Sequence, residues 1–172
     1  MVAETASLEY RPCVGIVLFN KQGKVFAGKR LFSKKGEAAL SSGAWQFPQG
    51  GIEAGEKPLA AAYRELHEET SITSVQLLQE LPDWYRYTFP DFVLRSQRSN
   101  VYKGQKQKWF AFLFTGLPEE IDIVNLPDNA KPEFSAWEWK DLADMPSLVV
   151  DFKREVYKEI VLKFSNLPLN LS

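Results

Sequence analysis

The stretch from residue 50 to residue 72, GGIEAGEKPLAAAYRELHEETSI, constrains the fold of this chain more than any other segment. Two adjacent glycines open it, and a glycine-rich loop can bend sharply and approach a ligand closely. Pro58 suits the first turn of a helix, where its missing N–H is harmless, and the alanines that follow favour helix formation. The segment therefore predicts a tight loop followed by a helix.

The predicted helix carries three glutamates on one side. Glu65, Glu68 and Glu69 lie within about 100° of one another around the helix axis. Such carboxylates repel one another by a few tenths of a kcal/mol per pair, so this face is either fully solvated or occupied by a cation. Carboxylate oxygens suit Mg²⁺ or Mn²⁺. With 1 His and 1 Cys, the composition argues against a zinc site.

The overall composition is that of one globular domain. A length of 172 residues and a hydrophobic content of 45% predict a single domain over residues 1–172, with residues 1–9 as a flexible N-terminus. The net charge of -1 predicts no bulk attraction to DNA or to a membrane surface. Cys13 has no second cysteine to pair with, which fits a reducing cytoplasm. The longest purely apolar run, Trp109–Phe114, is too short to span a bilayer.

The charge is unevenly distributed along the chain. The segment from residue 92 to residue 118 contains no Asp or Glu, and its basic residues are Arg95, Arg98, Lys103, Lys106 and Lys108. A basic segment beside an acidic metal face suits a metal-bound polyanion. A solvated charged loop is the alternative interpretation, and the charges alone leave it open.

Hydrophobic periodicity predicts an α+β fold. Strands are predicted at residues 11–20, 24–30, 45–48, 75–81, 84–89, 108–115 and 134–139, with a short edge segment at residues 120–124. Apolar residues repeat every four positions between Ser147 and Phe164, which predicts one amphipathic helix. Strands that flank one helix and precede another indicate a mixed sheet between helices.

The glycine loop and acidic helix together resemble the Nudix box, G-x5-E-x7-R-E-U-x-E-E-x-G-U, in which U is aliphatic. Ser71 stands where the pattern has its last glycine, a position expected to adopt a left-handed conformation. The residues that fill the box are Gly50, Glu56, Arg64, Glu65, Leu66, Glu68, Glu69 and Ile72. Five further segments, YRPCVGI, WQFPQGGI, GQKQKWF, KPEF and VDFKREV, look like one branch of the family. That branch holds the RNA pyrophosphohydrolases and the asymmetrically cleaving dinucleoside tetraphosphate hydrolases.

The resemblance implies the Nudix fold, an α/β/α sandwich around a mixed β-sheet, and a hydrolase that uses Mg²⁺, with Mn²⁺ able to substitute. Its expected substrate is a nucleoside polyphosphate or the 5′-phosphorylated end of an RNA, cleaved at a phosphoanhydride bond by metal-activated water. A catalytically silent domain that binds nucleotides or RNA in the same cleft is the alternative.

The resemblance also implies roles for individual residues. The expected metal ligands are Glu65, Glu68, Glu69, the carbonyl oxygen of Gln49, and Glu120 as a further carboxylate outside the box. The expected catalytic residues are Glu65, Glu69, Glu120 and Arg64, and the expected structural residues of the box are Gly50 and Glu56, with Glu56 paired to Arg64. The expected substrate-binding residues are Arg11, Arg30, Lys106 and Lys108 for phosphates, and Phe134 or Tyr87 for stacking on a base.

Overall fold

The computed structural model describes residues 8–33, 41–96 and 102–171. Its strands are β1 (Glu9–Phe19), β2 (Val25–Arg30), β3 (Trp45–Gln46), β4 (Gln49–Gly51), β5 (Val75–Glu80), β6 (Tyr85–Thr88), β7 (Tyr102–Phe114) and β8 (Phe134–Lys140). Its α-helices are α1 (Pro58–Thr70), α2 (Asp91–Ser96), α3 (Met145–Leu148) and α4 (Arg154–Phe164). Turns of 3-10 helix cover Pro118–Glu120, Pro127–Asn129, Leu142–Asp144, Asp151–Lys153 and Leu167–Asn170.

The strands form one mixed sheet with two long strands at its centre. Strands β1 and β7 run parallel, in register from Tyr10 opposite Gly104 to Phe19 opposite Leu113. The other pairings are antiparallel: β2 and β4 with β1, β3 and β8 with β2, and β5 and β6 with β7. This arrangement places the glycine loop, whose first residues form β4, directly against the central strand.

Helices cover both faces of the sheet. On one face, Ala61, Ala62 and Leu66 of α1 pack with Val14, Ile16, Leu18, Phe110 and Phe112 of the central strands. On the other face, Val156, Tyr157, Ile160 and Phe164 of α4 pack with Val17, Phe19, Trp109 and Ala111. Because both faces of β1 are buried, its sequence is a continuous apolar run instead of an alternating one. The predicted α+β class and α/β/α sandwich are confirmed.

Three details of the prediction need correction. The predicted helix over residues 147–164 is broken, because Val149 and Val150 adopt extended conformations with ψ of 158° and 144°. The predicted edge segment at residues 120–124 is not a strand, since the Asp122 carboxylate accepts the N–H groups of Val124 and Asn125, each at 2.8 Å, and turns the chain. Residues 1–7 lie outside the described part of the chain, and Glu9 already belongs to β1 instead of to a flexible N-terminus.

Ser71 ends α1 in the predicted left-handed conformation. Its φ of 66° and ψ of 2° are those that glycine adopts most readily. The Ser71 N–H donates to the carbonyl oxygen of His67 at 2.8 Å, and the Ser71 hydroxyl donates to the carbonyl oxygen of Asp122 at 2.9 Å. The hydroxyl thus ties the end of the acidic helix to the loop after β7, which glycine would not do.

No helix within the described ranges combines the length and the apolar character needed to cross a bilayer.

Candidate active site

The glycine loop and the acidic helix touch at Gly50. A Cβ atom on residue 50 would overlap the carboxylate of Glu65, so only glycine allows this carboxylate to lie against the β4 backbone. The next glycine, Gly51, similarly leaves room for the guanidinium of Arg11. The two glycines therefore bring one acidic and one basic group close to the same stretch of backbone.

Arg64 fixes the loop to the helix. Its guanidinium donates to both carboxylate oxygens of Glu56 at 2.8 Å and to the carbonyl oxygen of Gly51 at 2.8 Å. The predicted pair between Arg64 and Glu56 is thus present, and it lowers the pKa of Glu56 to about 2. The same guanidinium donates to Glu65 at 2.9 Å and to Glu68 at 3.2 Å. Arg64 therefore holds four parts of the box in register, and its own pKa is raised mainly by Glu56.

Glu65 and Glu69 are partly or wholly withdrawn from water. Burial is the main cause that raises the pKa of Glu65, although Arg64 opposes it. Glu69 is 7% exposed, and burial raises its pKa well above the usual value, with further contributions from the nearby charges of Glu133 and Glu65. Its carboxylate accepts the N–H of Gln49 at 3.4 Å. Glu68 lies further out, with 37% of its side chain exposed.

A polar pocket of about 300 Å³ opens beside these acids. Its lining consists of Arg11, Arg30, Gln49, Gly50, Gly51, Glu65, Glu69, Gln105 and Glu133. The pocket thus combines three carboxylates with two guanidinium groups. Such a set can bind a cation and an anion side by side, which a metal-bound phosphate requires.

The donors of this site fit a hard divalent cation. Glu65 and Glu69 share the pocket with Gln49, and all three residues carry oxygen donors. Among the described residues, no three His, Cys, Asp or Glu side chains form a ready-made metal-binding group. Part of the reason that no such group forms is that Arg64 pairs with both Glu65 and Glu68. Burial is the main cause of the raised pKa of Glu69, and a bound cation would relieve the added repulsion from Glu133 and Glu65.

Arg11 and Arg30 line the pocket, as the substrate-binding prediction requires of them, and so does Gln49. Arg30 also donates to the Glu133 carboxylate at 2.6 Å. The buried Arg30 Nε has no hydrogen-bond partner within the described residues.

Glu120, a predicted metal ligand and catalytic residue, lies outside the pocket in this structure. Its carboxylate accepts the Ser74 hydroxyl at 2.6 Å and the Ser74 N–H at 3.2 Å, and it does not line the pocket. Glu133 is the third carboxylate that lines the pocket. Glu133 belongs to the KPEF segment, whose likeness to the family was visible. Its orientation depends on how β8 pairs with β2, which a single sequence does not reveal.

The two predicted base-stacking residues, Phe134 and Tyr87, lie in the core of this structure. Phe134 is 2% exposed and packs against Phe26 in the core, where its ring also fills the space that a Cβ on Gly28 would need. Tyr87 is 5% exposed and packs against Phe89 and Phe152. Neither ring offers an open face to a base in this structure.

The two predicted phosphate-binding lysines do not line the pocket. Lys108 donates to the carbonyl oxygens of Leu81 and Pro82 at 3.2 and 2.9 Å, and Lys106 lies over the ring of Trp84 at 5.3 Å. Strand alternation is the reason, because Gln105 faces the pocket and its neighbour Lys106 must face the other side of the sheet. Gln105 itself was missed, since an uncharged residue in a basic segment gives no distinctive signal.

Comparisons with known proteins identify the family of this chain. The NUDIX domain family model matches residues 9–160. An RNA pyrophosphohydrolase of Bartonella clarridgeiae is 48% identical over 165 residues, which cover 96% of this chain and 95% of that protein. An RNA pyrophosphohydrolase of Rhizobium meliloti is 49% identical over 167 residues, covering 97% of this chain and 99% of that protein.

A solved structure confirms the fold at much lower sequence similarity. The dihydroneopterin triphosphate pyrophosphohydrolase of E. coli superposes with a TM-score of 0.65 at 18% identity, covering 90% of this chain and 99% of that one. The family match spans both central strands and the acidic helix. This chain therefore belongs to the Nudix family and is a hydrolase that acts on acid anhydrides.

Proposed function

We propose that this protein is a Mg²⁺-dependent RNA 5′-pyrophosphohydrolase. The observation that carries the proposal is the pocket that places Glu65, Glu69 and Glu133 beside Arg11 and Arg30. Two relatives named RNA pyrophosphohydrolase are 48% and 49% identical over nearly the whole chain, which supports RNA as the substrate. Neither the site nor these relatives favours a silent binding domain.

The proposed reaction is hydrolysis of a phosphoanhydride bond at the 5′ end. Water attacks a phosphorus atom, a P–O–P bridge breaks, and a triphosphorylated end yields a 5′-monophosphate and pyrophosphate. Nudix hydrolases generally need a divalent metal, and here Glu65, Glu68, Glu69 and the Gln49 carbonyl would hold Mg²⁺, which neutralises phosphate charge and lowers the pKa of water. Mn²⁺ prefers the same oxygen donors and is expected to substitute.

The protein's own groups have distinct tasks in this proposal. Arg11 and Arg30 would bind phosphate oxygens, because a guanidinium matches them with two parallel hydrogen bonds. When Arg30 binds a phosphate, it would give up part of its pairing with Glu133. That carboxylate would then be free to accept a proton from water. Arg64 acts through the ion pairs that position Glu65 and Glu68 and has no direct part in the reaction. The lone buried Cys13 and an RNA substrate suit the cytoplasm.

A comparison of substrates and variants tests the proposal. With Mg²⁺, triphosphorylated RNA should release pyrophosphate, and the rate on diadenosine tetraphosphate measures the competing nucleotide activity. The Glu69→Gln variant should lose at least about a hundredfold in kcat, since a neutral amide is a poor ligand for a hard cation. Glu119→Gln, an exposed glutamate next to the residue that bonds Ser74, is the matched control and should keep wild-type activity. Wild-type turnover by Glu69→Gln would contradict the role of this carboxylate.

A further inference from the structure

One face of the sheet, opposite the side on which Gln105 lines the pocket, presents cations stacked on aromatic rings. Lys103 Nζ lies 4.7 Å from the ring centre of Tyr10, and the Arg86 guanidinium lies 5.9 Å from the same ring. Lys106 Nζ lies 5.3 Å from the ring centre of Trp84. We call these residues, Tyr10, Trp84, Arg86, Lys103 and Lys106, the cationic face.

The strand register assembles this face. Arg86 of β6 pairs directly with Lys106 of β7, so their side chains leave the sheet on the same side. The flanking residues Tyr87 and Gln105 form the next pair and are buried on the opposite side. Tyr10 joins the cationic side because its hydroxyl is hydrogen-bonded to the Thr88 hydroxyl at 2.9 Å.

Within the described part of the chain, no salt bridge neutralises the positive charge of this face, and Arg86, Lys103 and Lys106 take part in none. The neighbouring Lys108 differs, since it lies 3.7 Å from the Glu80 carboxylate and is also bonded to backbone carbonyls. Three cations held over rings and left without acids are a surface to which an external anion can bind.

The cationic face lies across the sheet from the pocket residues Arg11 and Gln105. These two residues pair with each other near the N-terminal ends of the parallel strands β1 and β7. Their neighbours Tyr10 and Lys106 lie near the same end of the sheet and, by strand alternation, on its other side. A chain whose 5′ phosphates lie between Arg11 and Arg30 would pass around this end of the sheet to reach Tyr10.

We propose that the cationic face binds the single-stranded segment of the RNA that follows its 5′ end. Phosphates would contact Arg86, Lys103 and Lys106, and bases would stack on Tyr10 or Trp84, the combination by which proteins hold single strands without reading sequence. This inference rests on the proposed function and deepens it. A dinucleoside polyphosphate ends before this face, so the face favours longer RNA as the substrate class.

Binding can be measured apart from catalysis. A labelled single-stranded RNA of about ten nucleotides with a 5′-hydroxyl end is titrated by fluorescence anisotropy against the wild type and Arg86→Gln/Lys103→Gln. Each lost phosphate contact lowers the salt slope by about 0.7. Between 50 and 200 mM salt, the wild type should therefore lose about sevenfold more affinity than the double variant. The control Lys158→Gln/Lys163→Gln removes the same charge from exposed positions on α4 and should behave as the wild type.

Turnover separates this inference from the proposed function. On a triphosphorylated ten-nucleotide RNA, Arg86→Gln/Lys103→Gln should raise KM about tenfold and keep kcat. On a triphosphorylated dinucleotide, which is too short to reach the face, both parameters should match the wild type. Equal KM values for both substrates in the wild type would overturn the inference and leave the proposed function intact. No hydrolysis of either RNA by the wild type would overturn the proposed function, while the 5′-hydroxyl titration would still decide the inference.

A duplex of the same length is the remaining arm of the binding experiment. Stacking on Tyr10 and Trp84 requires unpaired bases, so a blunt duplex should bind at least about tenfold more weakly than the single strand at equal length. Equal or tighter binding of the duplex would overturn the assignment to single-stranded RNA.

Discussion

Replacing Glu56 by glutamine tests whether the ion pair with Arg64 stabilises the fold. The pKa of Glu56 falls from 4.5 to about 2 because Arg64 donates to both of its oxygens. At 1.36 kcal/mol per pKa unit, such a shift corresponds to roughly 3 kcal/mol of free energy of unfolding. The pair borders a solvent-open loop, and screening by water reduces the expected contribution to about 1–2 kcal/mol.

The pH dependence of this contribution has a definite sign. A carboxylate whose pKa is lower in the folded state stabilises the fold fully above its unfolded pKa, here 4.5, and loses that effect as the pH falls towards about 2. The difference in unfolding free energy between the wild type and Glu56→Gln should thus be constant from pH 7 to pH 5. It should then shrink steadily between pH 4.5 and pH 2.

Urea denaturation followed by far-UV circular dichroism measures both quantities. Glu155→Gln is the matched control, because Glu155 pairs with Lys158 on α4 while 83% of its side chain is exposed. That variant should cost less than about 0.5 kcal/mol at every pH. A Glu56→Gln cost no larger than this control, or one that persists unchanged at pH 2, would refute the assignment of the lowered pKa to Arg64.

Two further predictions concern positions where the structure departs from the sequence pattern. Glu133→Gln should lower kcat/KM by at least about tenfold, whereas Glu120→Gln should keep kcat/KM within about twofold. Glu120→Gln should instead lower the free energy of unfolding by about 1 kcal/mol, because it weakens the bonds to Ser74. The reverse ranking of the two variants in a turnover assay would indicate that Glu120 belongs to the site. Ser71→Ala should lower the unfolding free energy by about 1 kcal/mol through loss of the bond to Asp122, while Ser71→Gly should recover about that amount by relieving the left-handed conformation. Equal stability of the two Ser71 variants in urea would show that the left-handed conformation carries no cost here.

The local parts of the site could be predicted because their chemistry is contiguous in sequence. The glycine loop, the helix from Pro58 and the pair between Glu56 and Arg64 all lie within one short stretch, where helical spacing fixes which side chains meet. The left-handed conformation of Ser71 follows from the same spacing. The rest of the site depends on pairing between strands that are far apart in the sequence. Strand register determines whether Glu120 or Glu133 lies near Glu65 and Glu69. Neither residue has a local sequence signal that distinguishes it from the other.

The sequence alone also could not place the aromatic and basic residues relative to the pocket. Phe134 and Tyr87 could each have been open rings or core residues, and a period of two in a strand does not say which face is covered. Lys106 and Gln105 are neighbours in a strand, so one of them must point away from the pocket. Charge favoured Lys106 as the pocket-lining residue, whereas the register of β7 against β1 and β6 places Gln105 in the pocket.

The bond between Phe47 and Tyr157 ties the acidic site to the C-terminal helix. The Tyr157 hydroxyl accepts the Phe47 N–H at 2.9 Å just before the glycine loop, and their rings stack with centres 4.8 Å apart. Burial raises the pKa of this phenol, and the charge of Glu69 adds to the effect. Helix α4 thus stabilises the glycine loop, although it supplies no group to the pocket. A fragment that ends after β8 would keep Glu65, Glu69 and Glu133 but would lack the hydrogen bond and the ring contact that Tyr157 makes with Phe47.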